Sequence, residues 1–143
     1  MRLGYLVLGP MRKHSLGEPA PAPTKRRLEA HDQAEIVGWL RERGELVVRC
    51  EQGARRKWGA ARDKRLGVVA GVPDLIWVRG AGRLVWIECK RIGGRLSPEQ
   101  IAIHEVLRRM GHVVIVGYGS QDLIAQCQRI LDHDANRAAN TFG

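Results

Sequence analysis

Apolar residues fall into two rhythms along the chain. From 28 to 43, Leu28, Ile36, Val37, Trp39 and Leu40 recur at helical spacing, and Gly44 follows as a C-terminal stop. The next run, Glu45-Leu46-Val47-Val48-Arg49-Cys50-Glu51, reads as a strand. Two further runs, Leu75-Ile76-Trp77-Val78 and Leu84-Val85-Trp86-Ile87, are rich in β-branched and aromatic side chains and are separated by Gly80-Ala81-Gly82, which predicts a β-hairpin. Ser97, Pro98 and Gln100 supply the N-cap, N1 and N3 of a capping box. The helix they open runs to about 110, with Ile103, Val106, Leu107 and Met110 as its inward row. Val113-Val114-Ile115-Val116 predicts a strand buried on both faces, with His112 before it in a structural role. Gly117-Tyr118-Gly119-Ser120 turns the chain, and 122 to 132 carries Leu123, Ile124, Cys127, Ile130 and Leu131 at the spacing of a last amphipathic helix. This order of elements predicts an α/β sandwich, a mixed central β-sheet flanked by helices.

The pattern also divides the chain. Residues 1–27 hold Pro10, Pro19, Pro21 and Pro23 among alanines and basic residues, a composition with nothing to bury, and are read as a flexible basic N-terminal extension with Met11 as an alternative start. Residues 28–134 form the folded domain, and 135–143 a polar C-terminal tail. At 143 residues the chain can bury one real core. Its net charge of +9 calls for a polyanionic partner. The charge is unevenly spread: residues 1–27 hold six Lys/Arg against Glu18, and residues 52–66 hold six against Asp63. The second cluster is Arg55, Arg56, Lys57, Arg62, Lys64 and Arg65, immediately before the hairpin, where cationic side chains can displace counterions from phosphates. Trp58, within it, has two readings, core packing and stacking on a base. Cys50, Cys89 and Cys127 are too scattered for a zinc site and odd in number, as expected of buried thiols in a reducing compartment. The apolar stretch from 3 to 8 is too short for a signal sequence or a membrane span, so a soluble cytoplasmic protein without a membrane partner is expected.

The candidate chemistry lies in the hairpin. Strand side chains alternate, so Glu88 and Lys90 share one face about 6.6 to 6.8 Å apart, while Ile87 and Cys89 point the other way. Antiparallel pairing through the short turn brings Asp74, which follows Pro73 at the start of the first strand, beside Glu88. Two carboxylates and an ammonium then converge. Oxygen donors of this kind suit Mg2+, with Mn2+ as a possible substitute, and a lysine beside the metal can orient water or offset charge as phosphorus is attacked.

Pro73-Asp74, then Glu88-Cys89-Lys90 at the end of an apolar strand, resembles the PD-(D/E)xK nuclease superfamily. Together with Gly71-Val72 and Leu96-Ser97-Pro98-Glu99-Gln100, it resembles the VRR-NUC domain, of the stand-alone phage and bacterial type, over roughly residues 30 to 132. The resemblance implies a restriction-endonuclease-like fold and a Mg2+-dependent DNA nuclease, structure-selective on branched DNA such as four-way junctions or flaps, working as a homodimer. It implies Asp74, Glu88, the main-chain carbonyl of Cys89 and Glu35 as metal ligands, with Lys90 and Gln100 handling water and phosphate. Gln100 retains a second reading as N3 of the cap, and Glu35 as an ordinary solvated glutamate. Two other functions stand beside this one: a sequence-specific restriction-type endonuclease, and a binding module whose catalytic site has decayed. The chain lacks the extra length that the former uses to read base edges, and the presence of Asp74, Glu88 and Lys90 argues against the latter.

Overall fold

The structure is a computed structural model and describes residues 25–50, 65 and 67–141. Three helices, α1 (Lys25–Arg41), α2 (Pro98–Arg109) and α3 (Ser120–Thr141), accompany four strands, β1 (Leu46–Arg49), β2 (Leu75–Val78), β3 (Leu84–Lys90) and β4 (Val113–Tyr118). The strands lie in the order β1-β2-β3-β4, the first three antiparallel and β4 parallel to β3. A parallel neighbour needs a crossover, and α2 provides it. The fold is thus the expected α/β sandwich with a mixed sheet between helices.

Alternation along the strands decides which side carries the core. Val47, Leu75, Trp77, Val85, Ile87 and Cys89 all project to one face and bury against Ile36 and Leu40 of α1 and Leu123 and Cys127 of α3. Gly117 of β4 faces the same way, and a Cβ there would lie 2.3 Å from the Leu123 side chain, so α3 rests directly on the strand backbone. The opposite face carries Trp86, Glu88 and Lys90 and receives α2. Over β1 it is open, leaving Leu46 and Val48 exposed.

Three expectations are corrected. In α2, Val106 and Met110 are exposed, and the face turned to the sheet carries Gln100, Ile103, His104 and Leu107 instead. The helix is rotated so that Gln100 and His104 meet Glu88. β4 is less enclosed than its apolar run implied: Val113 is exposed at 48%, because β4 is an edge strand and α2 covers it only in part. The last helix does not stop near 132 but continues to Thr141, taking in most of the residues read as a tail.

The cause of that last difference is long-range. Asp134 accepts hydrogen bonds from Arg79 Nη2 at 2.8 Å and from both Nη atoms of Arg83 at 2.8 Å. Arg79 also donates to Glu45 at 2.6 Å and lies 4.4 Å over the Trp77 ring. The two arginines hold the Asp134 carboxyl well below the usual range, the Arg83 hydrogen bond first. The hairpin turn is thereby tied to α1–β1 and to the extended helix. α1 begins at Lys25, inside the stretch assigned to the extension; residues 1–24 lie outside the described residues, as do Arg55, Arg56, Lys57, Trp58, Arg62 and Lys64. Arg65 is described and is exposed. Among the described residues, no helix is long and apolar enough to cross a membrane.

Candidate active site

The hairpin register brings the two carboxylates together. Leu75 pairs with Ile87, which sets Asp74 opposite Glu88 at the open end of β2 and β3. The Cys89 N–H donates to Asp74 Oδ2 at 2.8 Å, and the Asp74 carbonyl accepts from Cys50 N–H at 2.8 Å, so Asp74 is held from β1 and from β3. N–H and C=O of one strand residue point to the same neighbour, so the Cys89 carbonyl also lies on the Asp74 side of β3. Lys90 turns its carbonyl the other way, to the Gly119 N–H at 2.8 Å.

Glu88 is 1% exposed, a buried carboxylate in an otherwise apolar strand. Its Oε1 pairs with Lys90 Nζ at 2.8 Å and accepts a short hydrogen bond from Gln100 Nε2. Gln100 is itself fixed by the capping box: its Oε1 accepts from Ser97 N–H at 3.0 Å while its own N–H donates to Ser97 Oγ at 3.2 Å. The cap orients the amide so that its remaining donors face Glu88, and both readings of Gln100 therefore meet in one residue. Burial, then the Asp74 charge, raises the Glu88 pKa from 4.5 to about 7, against the pull of Lys90 and Gln100. Burial also raises the Asp74 pKa; the Cys89 N–H and the charges of Lys90 and Arg49 oppose this, while the Glu29 charge adds to it.

Gly71 sets the distance between the hairpin and α2. It has φ +86°, and a Cβ on it would lie 2.5 Å from the carbonyl of Glu99, at the start of the helix that carries Gln100. We expect Gly71→Ala to lose about 2 kcal/mol of stability through the backbone clash and the left-handed conformation. Urea unfolding checks this; unchanged stability would show that α2 docks less closely.

Glu35 is not drawn into this group. It pairs with His31 at 3.4 Å on an exposed flank of α1, whereas the α1 carboxylate whose charge acts on Asp74 is Glu29. Glu29 lies seven residues, about two turns, before the buried Ile36 and so shares its face, while Glu35 is about 100° away. Asp32 lies on that side too, accepting from Ser120 N–H at 3.2 Å at the start of α3. Two residues were missed by sequence reasoning, Glu29 and His104. The signal for Glu29 was its place on the Ile36–Leu40 stripe, and for His104 its spacing of four from Gln100.

The donor set fits a hard cation. Burial raises the pKa values of both carboxylates, which meet across the hairpin, and Glu88 Oε2 is buried without a hydrogen-bond partner among the described residues. Asp74, Glu88 and the Cys89 carbonyl would hold such an ion, and Glu29 is the α1 acid whose charge acts on Asp74. No group of three His, Cys, Asp or Glu is gathered as a metal cage among the described residues. The remaining ligands would then be water and phosphate, as is usual for magnesium.

Comparison with known proteins gives a consistent picture. Protein p44 of Acyrthosiphon pisum secondary endosymbiont phage 1, provisionally named a nuclease, is 42% identical over 53 residues, 37% of this chain and 56% of p44. The chain therefore matches just over half of that relative's length. A solved VRR-NUC domain protein is similar with a TM-score of 0.59 at 28% identity, covering 71% of this chain and 86% of that one. A second solved VRR-NUC domain has a TM-score of 0.51 at 22% identity over 73% of this chain and 95% of its own, a likeness of fold alone. The family model of the VRR-NUC domain matches residues 20–121, starting earlier and ending earlier than the motifs had suggested. With most of its length so matched, and with the hairpin, the capped α2 and their buried glutamate in place, the chain belongs to the VRR-NUC domain family.

Proposed function

We propose that the chain is a divalent-metal-dependent DNA nuclease that hydrolyses phosphodiester bonds in branched DNA as a homodimer. The observation that carries this reading is the meeting of Asp74 and Glu88 across the hairpin with Lys90 at 2.8 Å from Glu88. Membership of the family, the provisional nuclease name of p44 and the net charge of +9 support it. Mg2+ is the expected ion, with Mn2+ as a substitute.

Asp74 and Glu88 would hold a divalent cation, which when bound would supply Lewis-acid polarisation of the phosphodiester and a lowered pKa for the attacking water. The chain's own groups do the rest. The Cys89 N–H and the Cys50 N–H fix Asp74 at the strand end. Gln100, oriented by its cap, keeps Glu88 turned toward α2 and Lys90. The Lys90 ammonium, paired with Glu88 at 2.8 Å, would face the negative charge that grows on the phosphate oxygens as the leaving oxygen departs. Arg55, Arg56, Lys57, Arg62, Lys64 and Arg65 supply phosphate contacts without sequence preference.

Lys90→Ala should slow cleavage about a hundredfold or more while leaving the Kd for DNA within a few-fold, since the lost charge acts on the transition state. Single-turnover cleavage and a binding titration on the same DNA separate the two. Equal losses in both would make Lys90 a phosphate contact only.

Branched DNA and the dimer belong together in this proposal. One site cuts one strand, and two copies about a twofold axis would match the near-twofold symmetry of a four-way junction. The exposed Leu46 and Val48 on the open side of β1 offer apolar surface for such a contact. The test compares flaps, forks, four-way junctions and linear duplex in Mg2+, Mn2+ or EDTA, with light scattering of the free protein and its DNA complex. Cleavage confined to branched DNA by a dimer is expected; a monomer cutting linear duplex as readily as junctions overturns the substrate and assembly claims.

A further inference from the structure

Glu88 has one satisfied oxygen and one that is not. Oε1 takes Lys90 and Gln100, whereas Oε2 is buried with no hydrogen-bond partner among the described residues. Facing it is His104, 1% exposed, whose Nδ1 and Nε2 are equally without partners there. Nε2 stands 3.9 Å from Oε2. That gap is too long for a hydrogen bond, and narrower than the roughly 4.6 Å that a water making two bonds of about 2.8 Å would span. Buried polar groups seldom stay unpaired, because the hydration they lose is then not replaced.

His104 is also placed by design of the helix. It follows Gln100 by four residues, so both side chains leave α2 on one face and lie one above the other. Gln100 already reaches Oε1, and His104 stands over Oε2. The imidazole is suited to donate, since a histidine ring carries at least one N–H whether neutral or protonated.

We propose that His104 is a positioning residue whose Nε2–H closes on Glu88 Oε2, so that α2 clamps both oxygens of the carboxylate, Gln100 on one and His104 on the other. The clamp stops the carboxylate from turning about its last torsion and keeps Oε1 on the Lys90 side. The part of this inference that concerns metal affinity and cleavage rests on the function proposed above; the contact itself does not. Groups that hold a ligating carboxylate from behind typically change metal affinity or activity by 10–100-fold when removed.

The experiment uses His104→Leu, similar in volume and without a donor, and His104→Gln, whose amide can donate from nearly the position of Nε2. Mn2+ affinity is read by calorimetry without DNA, cleavage as kcat and KM, and metal-free stability as Tm. His104→Leu should weaken Mn2+ binding and lower kcat about tenfold each with KM for DNA unchanged. His104→Gln should recover most of both. Wild-type Mn2+ affinity and kcat in His104→Leu, or no recovery in His104→Gln, overturns the proposal. A double-mutant cycle of His104→Leu against Glu88→Gln in EDTA tests the contact whether or not the protein cuts DNA. Tm shifts non-additive by about 3 °C or more are expected, and additive shifts overturn the clamp. Should His104→Leu fail to fold, the same cycle is run with His104→Met, which likewise carries no N–H donor, and additivity is again decisive. Absence of Mn2+ binding or cleavage in the wild type would instead remove the functional reading and leave the cycle to judge the contact.

Discussion

Alanine at Asp74 or at Glu88 should lower the cleavage rate at least about a thousandfold, on the order of 4 kcal/mol of activation barrier. Each substitution removes one of two anionic oxygen donors from a site that has no third carboxylate in close contact among the described residues. The two variants should differ in stability. Asp74→Ala leaves the Cys89 N–H without its 2.8 Å partner and loosens the strand end. Glu88→Ala frees Lys90 and Gln100, but it also removes a buried carboxylate that lacks a hydrogen-bond partner on one oxygen among the described residues. Single-turnover cleavage of one end-labelled DNA by wild type and both variants, with Kd measured in parallel, checks the prediction. Full activity in Glu88→Ala would place the chemistry elsewhere.

Glu88 should also make metal-free stability depend on pH. Its folded-state pKa of about 7 lies above the unfolded value of 4.5, so the folded protein binds its proton more tightly. The stabilisation is fully present below about 4.5 and is lost as pH rises through about 7. His104 acts in the opposite sense, because a buried neutral imidazole costs stability as pH falls below the ordinary histidine value. The clean quantity is therefore the difference between wild type and Glu88→Gln, which stays neutral throughout. That difference should swing by up to about 3 kcal/mol between pH 5 and pH 8 in favour of the glutamine variant at the higher pH. Urea unfolding in EDTA measures it. Adding Mg2+ at pH 8 should stabilise the wild type and not the variant, since only the folded wild type gains a ligand. A difference that stays constant with pH would mean that Glu88 is solvated as an ordinary surface acid is.

Much of the site was legible because it is local. A hairpin with a short glycine-bearing turn permits few registers, and alternation then fixes which side chains share a face, so Asp74, Glu88 and Lys90 could be brought together from spacing alone. The capping box at Ser97 and Gln100 is likewise a pattern of four consecutive residues. What escaped depended on contacts between distant segments. α2 has apolar residues on more than one side, and periodicity favoured Val106 and Met110 over the row that holds His104, whose facing group, Glu88, lies on another element. Glu29 lay near the edge of the first helical pattern, and Glu35 was implied by the family resemblance and not by a place on the Ile36–Leu40 face. The second half of α3 has little apolar periodicity, and its anchor, Asp134, meets Arg79 and Arg83 from 55 and 51 residues away.

The central claim is that a divalent metal at Asp74 and Glu88 is needed to break the phosphodiester bond. The most direct measurement is the initial rate of strand cleavage of a four-way junction and of linear duplex by the wild-type protein, in Mg2+ and then with excess EDTA. Cleavage in Mg2+, at least about a thousandfold slower in EDTA and restored when Mg2+ is returned, is the predicted result. Cleavage that proceeds undiminished in EDTA would contradict it.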